Sequence, residues 1–320
     1  MSFSGDVKEE CSRRMSSSRH CRIAEMAALL GMSGQVMAKG KDRYEIFLYT
    51  DNLPLARKFF YLVRRTFEAV CEIRVRSKAG TDRPSVILAL RDETVCYQIL
   101  SECGLLSSLE SFGPEDGTAA LSIAPEITER TCCKRAFIRG AFLAAGSVTD
   151  PEKAYHLEFV CLDETMAERV SSLLQSFEIE SHIVRRTKYR VVYLKDGDQI
   201  VETLNVMEAH RSMMELENIR IMKEMRERVN RKVNCETANL QKAASAATQQ
   251  KKDIEFLKSR REWNQMPENL REMALLRLQY PEASLKELGD LSNPPVGKSG
   301  VNHRLRKIRE FAENLRKEGN

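Results

Sequence analysis

Asn302 and Arg306 are two side chains of this chain suited to reading another molecule, since asparagine can pair with adenine and arginine with guanine across the major groove of a duplex. They lie in a segment running from about Lys298, in which Val301, Leu305 and Ile308 fall within about 60° of one another at a helical turn of about 100° per residue. The opposite face carries Ser299, His303, Arg306 and Glu310, flanked by Asn302 and Lys307. Lys298, Ser299, Arg304, Lys307 and Arg309 suit phosphate contacts, which position a protein without reading sequence. His303 on this face suits phosphate or a base and implies no metal role. From Gly297 to Asn320 there are seven Lys/Arg against three Glu, an excess that favours an acidic partner over the plain surface helix of a three-helix bundle.

The elements that must position this helix precede it. A helix, a proline break and a short helix from Ser284 to Leu291 come first, and Asn293-Pro294-Pro295 then interrupts the chain. Ser284 is placed to cap the short helix, which also bears Lys286. The pattern is that of a helix-turn-helix. Residues 267–320 are therefore expected to form an all-α helix-turn-helix DNA-binding domain, with Ser284 and Lys286 added to its contact set and double-stranded DNA as partner.

Metal and nucleophile chemistry is harder to find. The nine cysteines, at 11, 21, 71, 96, 103, 132, 133, 161 and 235, form no CxxC pair. Cys132 and Cys133 are adjacent at the head of a helix, where successive side chains diverge by about 100°, so they are expected to be poor joint ligands. The five histidines, at 20, 156, 182, 210 and 303, form no HExxH and no evident cluster with cysteine. Reduced, partly buried thiols in a reducing compartment are expected, with no metal, no cofactor and no catalytic residue.

At 320 residues and 42% hydrophobic content, the chain can bury two or three cores. Its net charge of +5 suits nucleic acid without requiring it. No apolar run approaches the roughly 20 residues needed to span a bilayer, and the polar start MSFSGDVKEE does not read as a signal peptide. A cytoplasmic, nucleoid-associated location with no membrane partner is expected.

The strongest organisational signal is an internal repeat. Gly34 and Gly146 each end a small-residue apolar helix and lie 112 positions apart. After each comes a hairpin (YEIFLYT; YHLEFVCL), an aspartate able to cap (Asp51; Asp163), an amphipathic helix, a second hairpin and a shorter helix. Each half thus reads α-β-β-α-β-β-α. In the first copy Arg74, Arg76 and Lys78 alternate with apolar residues and share one sheet face; adding 112 gives Arg186, Lys188 and Arg190. These six are candidates for a secondary DNA contact, although exposed strand cations also serve as edge protection. The organisation predicted is an N-terminal arm over 1–19, a duplicated domain over 20–205 with halves of about 20–110 and 131–205, a helical linker over 206–266, and the helix-turn-helix domain. The linker has no Pro or Gly in its charged stretch. Arg226, Arg228, Arg231 and Lys232 there suit either a solvated face or a DNA backbone.

MAALLGMSG and IRGAFLAAG, the two helices running into Gly34 and Gly146, resemble the LAGLIDADG helix of homing endonucleases. In that family the acid before the terminal glycine binds the metal that activates water; here those positions hold Ser33 and Ala145, and neither a hydroxyl nor a methyl can replace a carboxylate. CCKRAFIRGAFLAAGSVTDPEKAYHLEF, NRKVNCETANLQK and LKELGDLSNPPVGKSGVNHRLRKI, in this order, resemble the WhiA family over nearly the whole chain. That resemblance implies an α+β duplicated LAGLIDADG-like domain followed by an all-α helix-turn-helix domain. It also implies a non-enzymatic bacterial DNA-binding protein and transcription regulator, acting in cell division and chromosome segregation or, in actinobacterial relatives, in sporulation. The helix-turn-helix of the family carries over onto Ser284 to about Lys317. Another transcription or division factor is a further possible partner. The alternative expectation is an interaction scaffold whose LAGLIDADG-like domain binds a protein or ligand, with DNA binding secondary.

Overall fold

A computed structural model describes residues 2–40, 42–76, 85–106 and 122–318. The chain divides into two compact units, Met1–Met222 and Lys223–Asn320.

The first unit begins with α1 (Phe3–Arg13) and α2 (Arg19–Ser33), followed by β1 (Gly34–Gly40), β2 (Arg43–Thr50), α3 (Leu53–Phe67), β3 (Glu72–Arg76), β4 (Ser85–Leu90) and α4 (Glu93–Glu102). The second copy runs α5 (Thr131–Ala145), β5 (Gly146–Val148), β6 (Leu157–Cys161), α6 (Glu164–Gln175), β7 (His182–Arg186), β8 (Tyr189–Leu194) and α7 (Gly197–Val206). The α-β-β-α-β-β-α order read from the repeat is therefore present twice. The two antiparallel sheets have matching orders, β1-β2-β4-β3 and β5-β6-β8-β7. The residues expected to be an N-terminal arm are mostly helix, and Phe3, Val7 and Cys11 of α1 enter the core.

Strand alternation sets each sheet face. Tyr44, Ile46 and Leu48 of β2 and Val86, Leu88 and Leu90 of β4 are buried, while Phe47 and Tyr49 point the other way. Of the two aspartates expected to cap helices, one does so. Asp163 accepts from the Met166 N–H at 2.8 Å, but α3 is headed by Asn52, not capped by Asp51, and no side-chain cap bond forms.

α2 and α5 pack against each other as the axis of the duplication. Apolar residues surround most of both helices, so both are buried on nearly all sides. At Gly140 a Cβ would stand 2.6 Å from the Glu25 carbonyl oxygen and 3.1 Å from the Ala28 Cβ. Only glycine lets the backbones approach this closely.

The axis also encloses charge. Lys58 and Glu25 are fully buried, and Arg139 is 1% exposed. Arg139 forks onto Glu25, with Nε donating to Oε1 at 2.8 Å and Nη2 to Oε2 at 3.3 Å, and its Nη1 donates to Glu208 at 2.8 Å. Lys58 Nζ lies 2.9 Å from Glu25 Oε1 and also donates to the Arg14 carbonyl. Burial pulls the Lys58 ammonium below its ordinary value, against the opposing pull of Glu25. Burial also acts to lower Arg139, but Glu25 and Glu208 outweigh it and hold that guanidinium above its ordinary value.

A single 49-residue helix, α8 (His210–Lys258), follows. Its start belongs to the first unit, where Leu216 is buried and Glu10 accepts from the Arg211 and Ser212 N–H groups. The second unit continues with α9 (Glu268–Gln279), α10 (Leu285–Asp290) and α11 (Lys298–Glu318). Its core joins Ile254 and Leu257 from the end of α8 to Met273, Leu288, Val301, Leu305, Ile308 and Ala312. The core thus draws in residues from N-terminal of Pro267, where the sequence placed the start of the domain. Among the described residues no helix is long and apolar enough to cross a membrane.

Candidate nucleic-acid interface

The helix-turn-helix is built from α10 and α11 with a tight turn between them. Ser284 accepts from the Glu287 N–H at 3.3 Å, and Glu287 accepts in return from the Ser284 N–H at 2.7 Å. This reciprocal capping box starts α10. It holds the Glu287 carboxyl below its ordinary value, the Ser284 backbone N–H being the leading cause. At the other end Gly289 accepts from the Val296 N–H at 3.0 Å, and a Cβ there would lie 2.1 Å from the Val296 oxygen. Ser292 Oγ donates to the Gly289 carbonyl at 2.8 Å, and the Asn293 N–H donates to Glu272 at 2.7 Å. Buried Arg277 donates to the Ala283 carbonyl at 2.7 Å, fixing the approach to Ser284.

α11 then turns Val301, Leu305, Ile308 and Ala312 into the core. Lys298, Ser299, Asn302, His303, Arg306, Lys307 and Arg309 are exposed, as is Lys286 on α10. Arg304 departs from the expected phosphate role, being half-buried with Nη1 enclosed and without a hydrogen-bond partner. Arg306 and Arg309 lie along the helix against Glu310 (3.4 Å) and Glu313 (2.7 Å). Exposed pairs of this kind are worth little, so exchanging either carboxylate for a nucleic-acid acceptor costs little.

The sheet cations are arranged differently from the sequence expectation. The copies are related by an offset that shrinks along the chain. Gly34 pairs with Leu48 and Gly146 with Phe159, so the offset falls from 112 to 111 across the first hairpin. Leu48 and Phe159 stand opposite Leu88 and Val192, which stand opposite Ile73 and Ile183, an offset of 110. The counterparts of Arg74 and Arg76 are therefore Val184 and Arg186. Lys188 lies in the turn between β7 and β8. Arg190 lies on β8, sharing the core-side face of Val192 and pairing with Glu164, while Arg186 faces the other way opposite Tyr189. Lys78 lies outside the described residues.

Carboxylates occupy the same outer faces. Glu72 is 3.4 Å from Arg74 and 3.3 Å from Arg91, and Glu45 is 3.5 Å from Lys39. On the second sheet Glu158 meets Arg186 at 3.1 Å and His156 at 3.2 Å. On α8, Arg228 and Arg231 pair with Glu224 and Glu227 one turn away. Ser33 and Ala145 are the half-buried last residues of α2 and α5.

Two groupings were missed in the sequence. Glu25, Lys58, Arg139 and Glu208 form the buried charge network, for which a lone acid in α2 and a lone arginine in the apolar middle of α5 were the available signals. His20, Cys21, Cys132 and Cys133, read as scattered, are brought together, with their four donor atoms all within 4.8 Å of one another. Burial, and then the adjoining thiols of Cys132 and Cys133, pushes the Cys21 thiol up to about 12.

A duplicated α-β-β-α-β-β-α unit with its repeat helices paired at the axis, continued by a helix-turn-helix, defines a two-part LAGLIDADG-like and helix-turn-helix protein. Family models agree in each part: the WhiA N-terminal LAGLIDADG-like domain matches residues 19–106, the WhiA LAGLIDADG-like domain 134–226, and the WhiA C-terminal HTH domain 229–312. A probable cell division protein WhiA of Lachnoclostridium phytofermentans is 47% identical over 320 residues, covering 99% of this chain and 100% of the relative. One from Alkaliphilus metalliredigens is 41% identical, covering 99% of each. The full-length DUF199/WhiA crystal structure from Thermatoga maritima is 26% identical with a TM-score of 0.58, covering 98% of this chain and 99% of that one. The chain belongs to the WhiA family.

Proposed function

We propose that this chain is a non-enzymatic, site-specific binder of double-stranded DNA that regulates transcription in support of cell division and chromosome segregation. The observation that carries this reading is the solvent-facing side of α11, where Asn302, His303, Arg306 and Lys307 stand exposed on a helix held by a packed core and a capped, glycine-tight turn. Asn302 and Arg306 supply base contacts, and Lys298, Ser299, Lys307 and Arg309 hold phosphates. Lys286 and the capped N-terminus at Ser284 support that docking. Ser33 and Ala145 stand where a LAGLIDADG nuclease needs acids, so no cutting chemistry is assigned. The protein works in the cytoplasm at the nucleoid.

Footprinting on genomic fragments tests this. The full chain should protect discrete sites, and a chain ending before Pro267 should lose them; an unchanged footprint would refute recognition through α11.

One observation favours a second reading for the duplicated unit. Carboxylates are interspersed with the cations on both outer sheet faces, Glu72 beside Arg74 and Glu158 beside Arg186, and lower the local positive potential that would draw phosphate. On this reading the unit is a scaffold for another transcription or division factor. Residues 1–222 alone would then bind duplex DNA weakly, with a shallow salt dependence.

A further inference from the structure

The two axis helices begin in the same way. His20 and Cys21 are the second and third residues of α2, and Cys132 and Cys133 are the second and third residues of α5. Both pairs are related by the 112-residue offset that relates Gly34 to Gly146, so the four side chains converge from equivalent positions of the two repeats. His20 Nδ1 lies 3.1 Å from Cys133 Sγ, 3.3 Å from Cys21 Sγ and 4.0 Å from Cys132 Sγ. Cys21 and Cys133 are buried, with Ala24, Ala136 and Ile127 forming a small apolar floor. Cys132 is exposed.

These distances match one kind of ligand. A tetrahedral zinc ion with Zn–S of about 2.3 Å and Zn–N of about 2.0–2.1 Å separates its ligands by about 3.5–3.8 Å. The three nitrogen-to-sulfur distances bracket that range. Hard cations such as Mg²⁺ and Ca²⁺ prefer oxygen ligands. An iron–sulfur cluster spreads its ligands around several atoms, wider than four donors within 4.8 Å. Neither helix has a side-chain cap at its N-terminus, and the helix ends only partly offset the burial that disfavours thiolate there, so the site rests on the geometry of its four donors. Divergence of adjacent side chains at the backbone does not keep Cys132 and Cys133 apart, because their sulfur atoms and the partner helix's donors all lean into the same space.

We propose that His20, Cys21, Cys132 and Cys133 form a structural zinc site of one imidazole and three thiolates, joining the N-terminal ends of α2 and α5 across the pseudo-twofold axis. The ion binds as three thiols release their protons, and no bond is made or broken beyond that exchange. The site is at the opposite end of each helix from Ser33 and Ala145. It supplements the close packing at Gly140 with a metal-coordinated link between the repeats.

The test uses full-length protein purified from zinc-supplemented cells under reducing conditions. Elemental analysis should find one zinc per chain, and Cys133→Ser should abolish it, while Cys235→Ser, on the exposed part of α8, should retain it. Cobalt exchanged into the site should give the visible bands of a tetrahedral ion and a thiolate charge-transfer band. That band should fall by about a third in Cys132→Ser, a solvent-exposed change that leaves the core intact. Metal-free protein whose melting temperature is unmoved by added zinc would overturn the proposal. So would zinc retained in both Cys132→Ser and Cys133→Ser, or a Cys21–Cys133 disulfide as the native species.

Discussion

The α2/α5 axis and the outer face of α11 both depend on arginine, and they treat it in opposite ways. Arg139 is 1% exposed and spends its guanidinium on Glu25, Glu208 and Ser16. The Arg306 side chain is 67% exposed and rests against Glu310 at 3.4 Å. Desolvation makes the first arrangement all-or-none, because removing one member strands a buried charge. High dielectric makes the second exchangeable, because the pair it gives up is worth little. One region thus fixes geometry and the other remains available to a partner.

The largest expected effect breaks the first side of that contrast. Glu25→Ala leaves Lys58 buried without its carboxylate and Arg139 with half its partners, and should cost about 3–5 kcal/mol of stability. Chemical denaturation of the first unit measures it, and a loss below about 1 kcal/mol would mean that water or rearrangement satisfies both cations. Arg306→Ala should leave the denaturation midpoint in place, weaken specific DNA binding and relax preference at one base pair by about 1–3 kcal/mol. Lys307→Ala should weaken all duplexes alike and reduce the slope of log affinity on log salt by about 1. If Lys307→Ala changed the preferred site, its contact would be to a base.

The smallest effect is a pH dependence. Burial acts to raise the Glu208 carboxyl, but hydrogen bonding from Arg14 and the charges of Arg139 and Arg14 outweigh it and hold it below its ordinary value of 4.5. A depressed carboxylate contributes stability that is present above its unfolded value and lost as pH falls through its folded one. The thermal midpoint should therefore decline more steeply below pH 4.5 in the wild type than in Glu208→Gln. Equal slopes would remove Glu208 from the network's contribution to stability.

Much of this architecture was legible because its signals are local. The apolar faces of α2, α5 and α11, the Ser284 cap and the break at Asn293 each depend on residues within a few turns of one another. The repeat was legible because each copy preserves the same order of such signals. The strand cations were misplaced for a definite reason. The second copy is one residue shorter in its first hairpin and one shorter again before β7, a net slip of two that keeps the face but moves each counterpart along the strand, and β7 ends at Arg186, so Arg190 lies past the turn on β8. Arg74 therefore maps onto Val184, and Arg190 falls on the side opposite Arg186.

By itself the sequence determined the order of elements, the duplication, the helix-turn-helix and the side of α11 that faces solvent, because periodicity of hydrophobic residues encodes which face is buried. Only the tertiary structure decided what meets across that buried face. Glu25 with Lys58 and Arg139, and His20 and Cys21 with Cys132 and Cys133, are separated by 33 to 114 positions, and their local patterns do not say which partner each one meets. Their convergence depends on how closely α2 and α5 pack, which Gly140 permits and which no single helix can express.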